Sequence, residues 1–145
     1  MLESGRDYLF FEKVDCTKVS LTATMTRGAA VLTRNVIAMI PGESIGSLVI
    51  ATTHTRFGKE PLAATKAMLA DPALDLAQLE GRLQELFGGA TTRWIFPIAE
   101  LETFKVTTGF FGTISLKAKG ESVRRMVIRD KGGKATAKQF YATSP

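Results

Sequence analysis

Three observations predict a mainly β fold of the α+β class, with a helical pair set into its middle and a short helix at its end. Apolar and polar residues alternate with period two in the first third of the 145-residue chain and again beyond residue 93. Between about residues 56 and 90 the period lengthens to that of a helix, and in the last third glycines fall at the spacing of a meander. At 45% hydrophobic and 23% charged, the chain suffices for one ordinary core. A single domain over residues 1–145 is therefore expected, with the helical stretch as an insertion or as a layer on the sheet.

The elements follow in order. Residues 8–14 form a short aromatic-rich strand candidate. The run TKVSLTATM from Thr17 sets Val19, Leu21, Ala23 and Met25 against Lys18, Ser20, Thr22 and Thr24, the mark of a half-buried strand. Residues 28–33 and 36–40 are two apolar runs joined by Arg34-Asn35, a tight hairpin turn, and Pro41-Gly42 is expected to stop the second. Residues 45–53 are again β-branched enough for a strand.

Residues 60–70 (EPLAATKAMLA) and 72–87 (PALDLAQLEGRLQELF) are helical by composition, with Asp71 as N-cap and Pro72 at the first helical position. Leu76, Leu79, Leu83, Leu86 and Phe87 make one apolar stripe, Gly81 inside the helix costs about 1 kcal/mol against alanine, and Gly88-Gly89 ends the helix. Short strands at 93–97, 103–108, 113–119 and 123–129 complete a meander. Residues 134–143 place Ala137, Phe140 and Tyr141 on one face of a closing helix.

Charge is distributed unevenly along this plan. Residues 91–145 carry ten Lys/Arg against four Asp/Glu, whereas residues 1–90 carry nine against ten, so the whole surplus of +5 lies in the C-terminal part. A one-sided basic balance points to an anionic partner surface. In residues 113–119, Lys117 and Lys119 alternate with Ile114, Leu116 and Ala118 and should point outward together. Across the next turn Arg125 and Arg129 share one face, and Arg124 shares the other with Met126 and Ile128. The candidate contacts for an anionic partner are accordingly Lys117, Lys119, Arg124, Arg125 and Arg129. The plainer account of the same residues is a charged wet face that serves solubility. Aromatics do not interleave with these bases as stacking platforms would require, so nucleic acid is not supported as a partner. Only Phe110 and Phe111 lie near, beside Gly109 and Gly112 at a hairpin tip. Exposed together they form an apolar wedge for a membrane or a partner; tucked under, they cap the core.

Motifs for catalysis fail in context. Gly42-Glu43-Ser44-Ile45-Gly46 matches the nucleophile-elbow pattern, yet a strand and not a helix is expected after Ser44. His54, the sole histidine, has no carboxylate within a few residues to orient it. Asp130-Lys131-Gly132-Gly133-Lys134 invites comparison with a phosphate loop but lacks the full spacing and the following Ser/Thr. Glu100 and Glu102 share a strand face without a partner acid. No metal-ligand cluster and no cofactor motif occurs, so a non-enzymatic protein is expected, without cofactor or metal.

Cys16 is the only cysteine, which excludes an intrachain disulfide and fits a reducing compartment. The start, MLESGRDYLFFEKVD, carries acids where a signal peptide needs a cationic segment and an uninterrupted apolar run. No segment approaches the roughly 18 apolar residues of a spanning helix. A cytoplasmic location without a transmembrane segment is expected.

The run Gly28-Ala29-Ala30-Val31-Leu32-Thr33-Arg34-Asn35-Val36-Ile37-Ala38-Met39-Ile40-Pro41 resembles the leucine-threonine, turn, apolar-strand hairpin of the bacterial pleckstrin-homology-like (PH-like) and GRAM-like domains. Phe96-Pro97-Ile98-Ala99-Glu100-Leu101-Glu102 is similar to that family's strand running into a short isoleucine-rich turn. The resemblance covers about two-thirds of the chain and implies a bent antiparallel barrel of seven strands closed by a C-terminal helix, here with a helical pair inserted at 60–87. It also implies a binding or adaptor module. Phosphoinositide-binding members carry a basic cluster between their first two strands; here that stretch is Glu12-Lys13-Val14-Asp15-Cys16-Thr17-Lys18, mixed in sign, so the headgroup function is not supported.

The expected function is contact with an unknown protein or an anionic surface through the basic strands 113–129. Two alternatives are a small-ligand carrier or enzyme using an internal cavity, and homo-oligomeric assembly through the leucine stripe at Leu79 or through Phe110 and Phe111.

Overall fold

The computed structural model describes residues 2–19, 24–45, 60–88 and 94–142. Seven strands form one antiparallel sheet: β1 (Tyr8–Lys18), β2 (Thr24–Thr33), β3 (Val36–Ile45), β4 (Ile95–Pro97), β5 (Leu101–Val106), β6 (Ile114–Ala118) and β7 (Arg124–Ile128). Their order across the sheet is β4-β3-β2-β1-β7-β6-β5, and the sheet bends into a nearly closed barrel. Helices α1 (Glu60–Ala70) and α2 (Leu76–Phe87) stand between β3 and β4 in sequence, and α3 (Gly133–Ala142) ends the described chain. The mainly β fold with an inserted helical pair and a C-terminal helix is thus present.

Hydrophobic patterning explains which strands the helices cover. Ala29 to Thr33 on β2 and Ile37 to Pro41 on β3 are buried without a break, so both faces of these strands lie under other structure. One face lines the barrel, while α1 and α2 pack on β3 and α2 reaches β4. Continuous apolar runs are what strands buried on both faces require. By contrast β6 and β7 alternate strictly, with Ile114, Leu116, Ala118, Met126 and Ile128 buried and the intervening residues more open. Helix α3 packs on β5 and β7 with Ala137 and Phe140 buried.

Local chemistry moves several boundaries from their sequence positions. The alternating run 17–25 is not one strand: β1 extends to Lys18 and β2 begins at Thr24, and Val19 is 41% exposed instead of core. Alternation continued by chance from the end of one strand into the start of the next. Pro41-Gly42 does not stop β3, which runs to Ile45. Pro41 lies opposite Gly28, where the β2–β3 register shifts, and a bulge is one of the few sheet positions that accommodate a residue without an N–H. Gly28 is required there, because a Cβ would lie 2.0 Å from the Ile40 carbonyl oxygen. The expected strand at 45–53 falls mostly outside the described residues.

Helix α2 starts at Leu76, not at residue 72. Its N-cap is Asp75, whose carboxylate accepts from the Gln78 amide at 2.8 Å while Gln78 Oε1 accepts from the Asp75 amide at 3.0 Å. This reciprocal capping box outcompetes Asp71, whose carboxylate instead accepts the Ala73 amide at 2.9 Å in a turn. Leu74 and Leu79, flanking the cap, are both buried and staple the entry of the helix. Leu79, Leu83 and Phe87 at steps of four face the core, whereas Leu86 is 38% exposed and lies off the stripe. Glu100 ends a 3₁₀ turn (Ile98–Glu100), so it does not share a strand face with Glu102.

The Arg34-Asn35 turn ties three layers together. Asn35 Nδ2 donates to Glu80 Oε1 on α2 at 3.0 Å, and Thr33 Oγ1 donates to the other Glu80 oxygen at 3.3 Å. Arg34 donates to the Phe140 carbonyl and stacks its guanidinium 4.3 Å from that ring centroid. Tyr141 Oη closes the set by donating to the Thr33 carbonyl at 2.8 Å.

Candidate interaction surface

Strand register places the basic residues. Lys105 on β5 is opposite Ser115 on β6, which is opposite Arg125 on β7, which is opposite Thr17 on β1. Directly opposed residues project to the same side of a sheet, so Lys105 and Arg125 stand on one exposed outer row with Ser115 between them. Neither forms an ion pair among the described residues. Lys117, one outward position along β6, binds Glu102 Oε2 at 2.7 Å across a β5 register shift. Lys119 has left the strand for the exposed turn at 119–120, where Gly120 has φ +78°.

The two remaining arginines do not join this row as open cations. Arg129 Nε lies 3.1 Å from Asp15 Oδ2, and Arg27 Nε lies 3.4 Å from Asp15 Oδ1, an ion pair without hydrogen-bond alignment. The Asp15 carboxylate is only 13% exposed, so Arg129 sits beside a fixed counter-charge. Arg124 is a correction to the sequence-derived surface: it is 6% exposed and points into the barrel with Met126 and Ile128. Its guanidinium lies 4.9 Å from the Phe96 ring centroid and 5.8 Å from that of Trp94, near Cys16. Ring faces attract a cation, which lets this side chain lie inside. Burial pushes the Cys16 thiol up to about 11, with Arg124 opposing through its charge and a hydrogen bond.

Leu79 is the second correction. It is fully buried in the core between α2 and the sheet, so it cannot meet another copy of the chain.

The hairpin between β5 and β6 carries the other candidate pair. Phe110 and Phe111 are 89% and 87% exposed, with ring centroids 4.9 Å apart and nearly perpendicular. Thr107 and Thr113 clamp the neck: the Thr107 amide donates to the Thr113 carbonyl at 2.9 Å, and the Thr113 amide donates to Thr107 Oγ1 at 3.0 Å. Gly109 has φ +90°, and a Cβ on Gly112 would lie 2.6 Å from the Thr107 carbonyl oxygen, so both glycines are required. From α3, Lys134 Nζ donates to the carbonyls of Gly109 at 3.2 Å and Phe110 at 3.0 Å. Sequence reasoning did not anticipate this lysine staple, since residues 24 or 25 positions apart meet only through the fold.

The glycine-rich loop at 130–134 has a structural explanation. Asp130 accepts from the Glu12 and Lys13 amides at 3.1 and 2.9 Å, filling the β1 bulge. Gly132 has φ +74°, and a Cβ on Gly133 would lie 2.4 Å from Ile128 Cγ2, which accounts for both glycines without a phosphate. Residues 42–45 belong to β3, where Ser44 pairs with Thr26 in strand register and not on a strand-to-helix turn; His54 lies outside the described residues. Among the described residues no three His, Cys, Asp or Glu cluster closely enough to hold a metal ion, and no helix is long and apolar enough to cross a membrane. The gap bordered by Val106, Ile114, Met126, Ile128 and Ala137 leaves no room for a water molecule.

Comparison of the chain with protein-family models, curated proteins and solved structures finds no match.

Proposed function

We propose that the protein is a non-enzymatic binding module of PH-like type that meets an anionic partner through the outer face of β5, β6 and β7. The observation that carries this reading is the outward row Lys105–Ser115–Arg125, whose two cations are exposed and without an ion pair among the described residues. Lys119 adds a further exposed cation at the end of β6, and Lys117 is held at its edge by Glu102. Charges on a rigid sheet recognise anions without losing the side-chain and loop entropy that a flexible tail must give up. The seven-strand order and the closing helix support the PH-like assignment.

Retention on heparin, a generic polyanion, tests the reading. The wild-type protein should bind at low salt and elute as salt rises, because opposed ions screen such attraction. The double variant Lys105→Glu/Arg125→Glu should elute at clearly lower salt while its melting temperature and far-ultraviolet dichroism stay unchanged. Flow-through of the wild type at low salt, or co-elution of the two proteins, would end the proposal.

A further inference from the structure

We propose that the Phe110–Phe111 hairpin tip is a wedge that inserts into the headgroup–acyl boundary of an anionic lipid bilayer. In its electrostatic half the inference rests on the anionic-partner reading above and names that partner; in its apolar half it stands on separate observations.

The tip is built for presentation. Two adjacent aromatic rings project almost wholly into solvent while the neck beneath them is fixed by Thr107, Thr113 and two required glycines. Lys134 holds the tip carbonyls from the neighbouring helix, so the backbone that carries the rings is tied to α3. Exposed large apolar side chains are costly to keep in water, and a contiguous pair of them marks a contact site.

Size and charge select the occupant. Two phenylalanines bury about 150–250 Å² each at most, well below the roughly 800 Å² per partner of a stable protein interface. A convex tip of that area makes a poor dimer contact by itself. It suits a deformable interface, where a few inserted aromatics add to attraction between basic residues and anionic headgroups. Such residues flank the tip: Lys134 on α3 touches it, Lys131 lies in the turn just before α3, Lys138 follows one helical turn on, and Lys105 lies on the strand that leads into the hairpin. Lys105, Lys131 and Lys138 are exposed and carry no ion pair among the described residues. Asp130, the acid beside them, already accepts two β1 amides.

The test is co-sedimentation with phosphatidylcholine vesicles made with and without phosphatidylserine. Wild-type protein should bind the serine-containing vesicles preferentially and less tightly at high salt. Phe110→Ser and Phe111→Ser should each lower vesicle affinity roughly tenfold, as expected for losing insertion of one exposed phenylalanine. Both variants should keep the wild-type melting temperature and heparin retention, since the rings pack on nothing but each other. In Phe111→Trp, addition of serine-containing vesicles should shift tryptophan emission to the blue and make it quenchable by brominated lipid, against the constant background of buried Trp94. Equal vesicle binding by wild type and the double serine variant overturns the wedge, and equal binding to both vesicle types overturns the anionic assignment. Heparin retention without vesicle binding sinks the wedge alone. Phenylalanine-dependent vesicle binding without heparin retention sinks the basic-face reading and leaves the wedge standing.

Discussion

Arg124 shows how one residue can satisfy a sequence pattern and still miss the function drawn from it. Alternation correctly places it beside Met126 and Ile128, and its charge suggests a surface, but the rings of Phe96 and Trp94 take it inside. No one-dimensional signal reveals aromatic faces contributed by a strand some thirty positions upstream in the chain. Arg124→Glu should therefore lower stability in urea titration by several kcal/mol, because a buried carboxylate would meet ring faces that repel it. Arg125→Glu, one position on, should change stability by less than about 0.5 kcal/mol. Cys16, next to Arg124 in the barrel, gives a pH prediction. From the ordinary value of 9.0 up to about 11 the unfolded chain loses the thiol proton and the folded chain keeps it. Stability should fall as pH rises through this window and be fully retained below it. Burial of Tyr141 pushes its hydroxyl in the same direction. In melts at stepped pH, Cys16→Ala should show a shallower alkaline decline than wild type, and a thiol reagent should label Cys16 at the global unfolding rate; rapid labelling under native conditions would contradict this burial.

Among the elements, α2 is the most informative. Asp75→Ala removes one half of its capping box and should cost about 1 kcal/mol in a denaturant titration, whereas Asp71→Ala, which loses only a turn contact, should cost distinctly less. Leu79→Ala should cost about 2–5 kcal/mol, the range for a fully buried leucine. The presence of this helix was legible from its leucine spacing, but its start was not. Asp71-Pro72 and Asp75 with Gln78 are both acceptable beginnings locally, and burial of Leu74 against the core favours the second. A similar limit explains the first strands. Apolar alternation runs on past Lys18, and nothing local marks where β1 gives way to β2. β6 and β7 are legible to within a residue at each end, because strict alternation leaves one register that buries the apolar set, whereas β4 begins at Ile95 instead of 93 and β5 spans Leu101–Val106 instead of 103–108, where alternation is broken and a 3₁₀ turn without glycine joins the two.

For the whole molecule, the candidate surface combines what composition locates with what only the fold assembles. The C-terminal charge surplus falls partly on β6 and β7, yet Lys105 joins Arg125 through cross-strand register and Lys134 meets the phenylalanine tip through the placement of α3. The helical pair packs on β3 and β4, and among the described residues Lys105 and Arg125 stay exposed on the outer side of β5 and β7, so the expected consequence is salt-sensitive binding there without loss of the core. The pairing of β1 with β7 has a separate consequence for how the protein is made. Asp130 reaches the β1 bulge from 118 positions away, and β1 has β2 on one side and β7 on the other. During synthesis β1 emerges early and must wait, with one row of backbone amides and carbonyls unanswered, until nearly the whole chain has left the ribosome. Contacts this distant in sequence slow folding, and a nascent chain stalled before residue 124 should remain protease-sensitive however much of the helical pair it already contains.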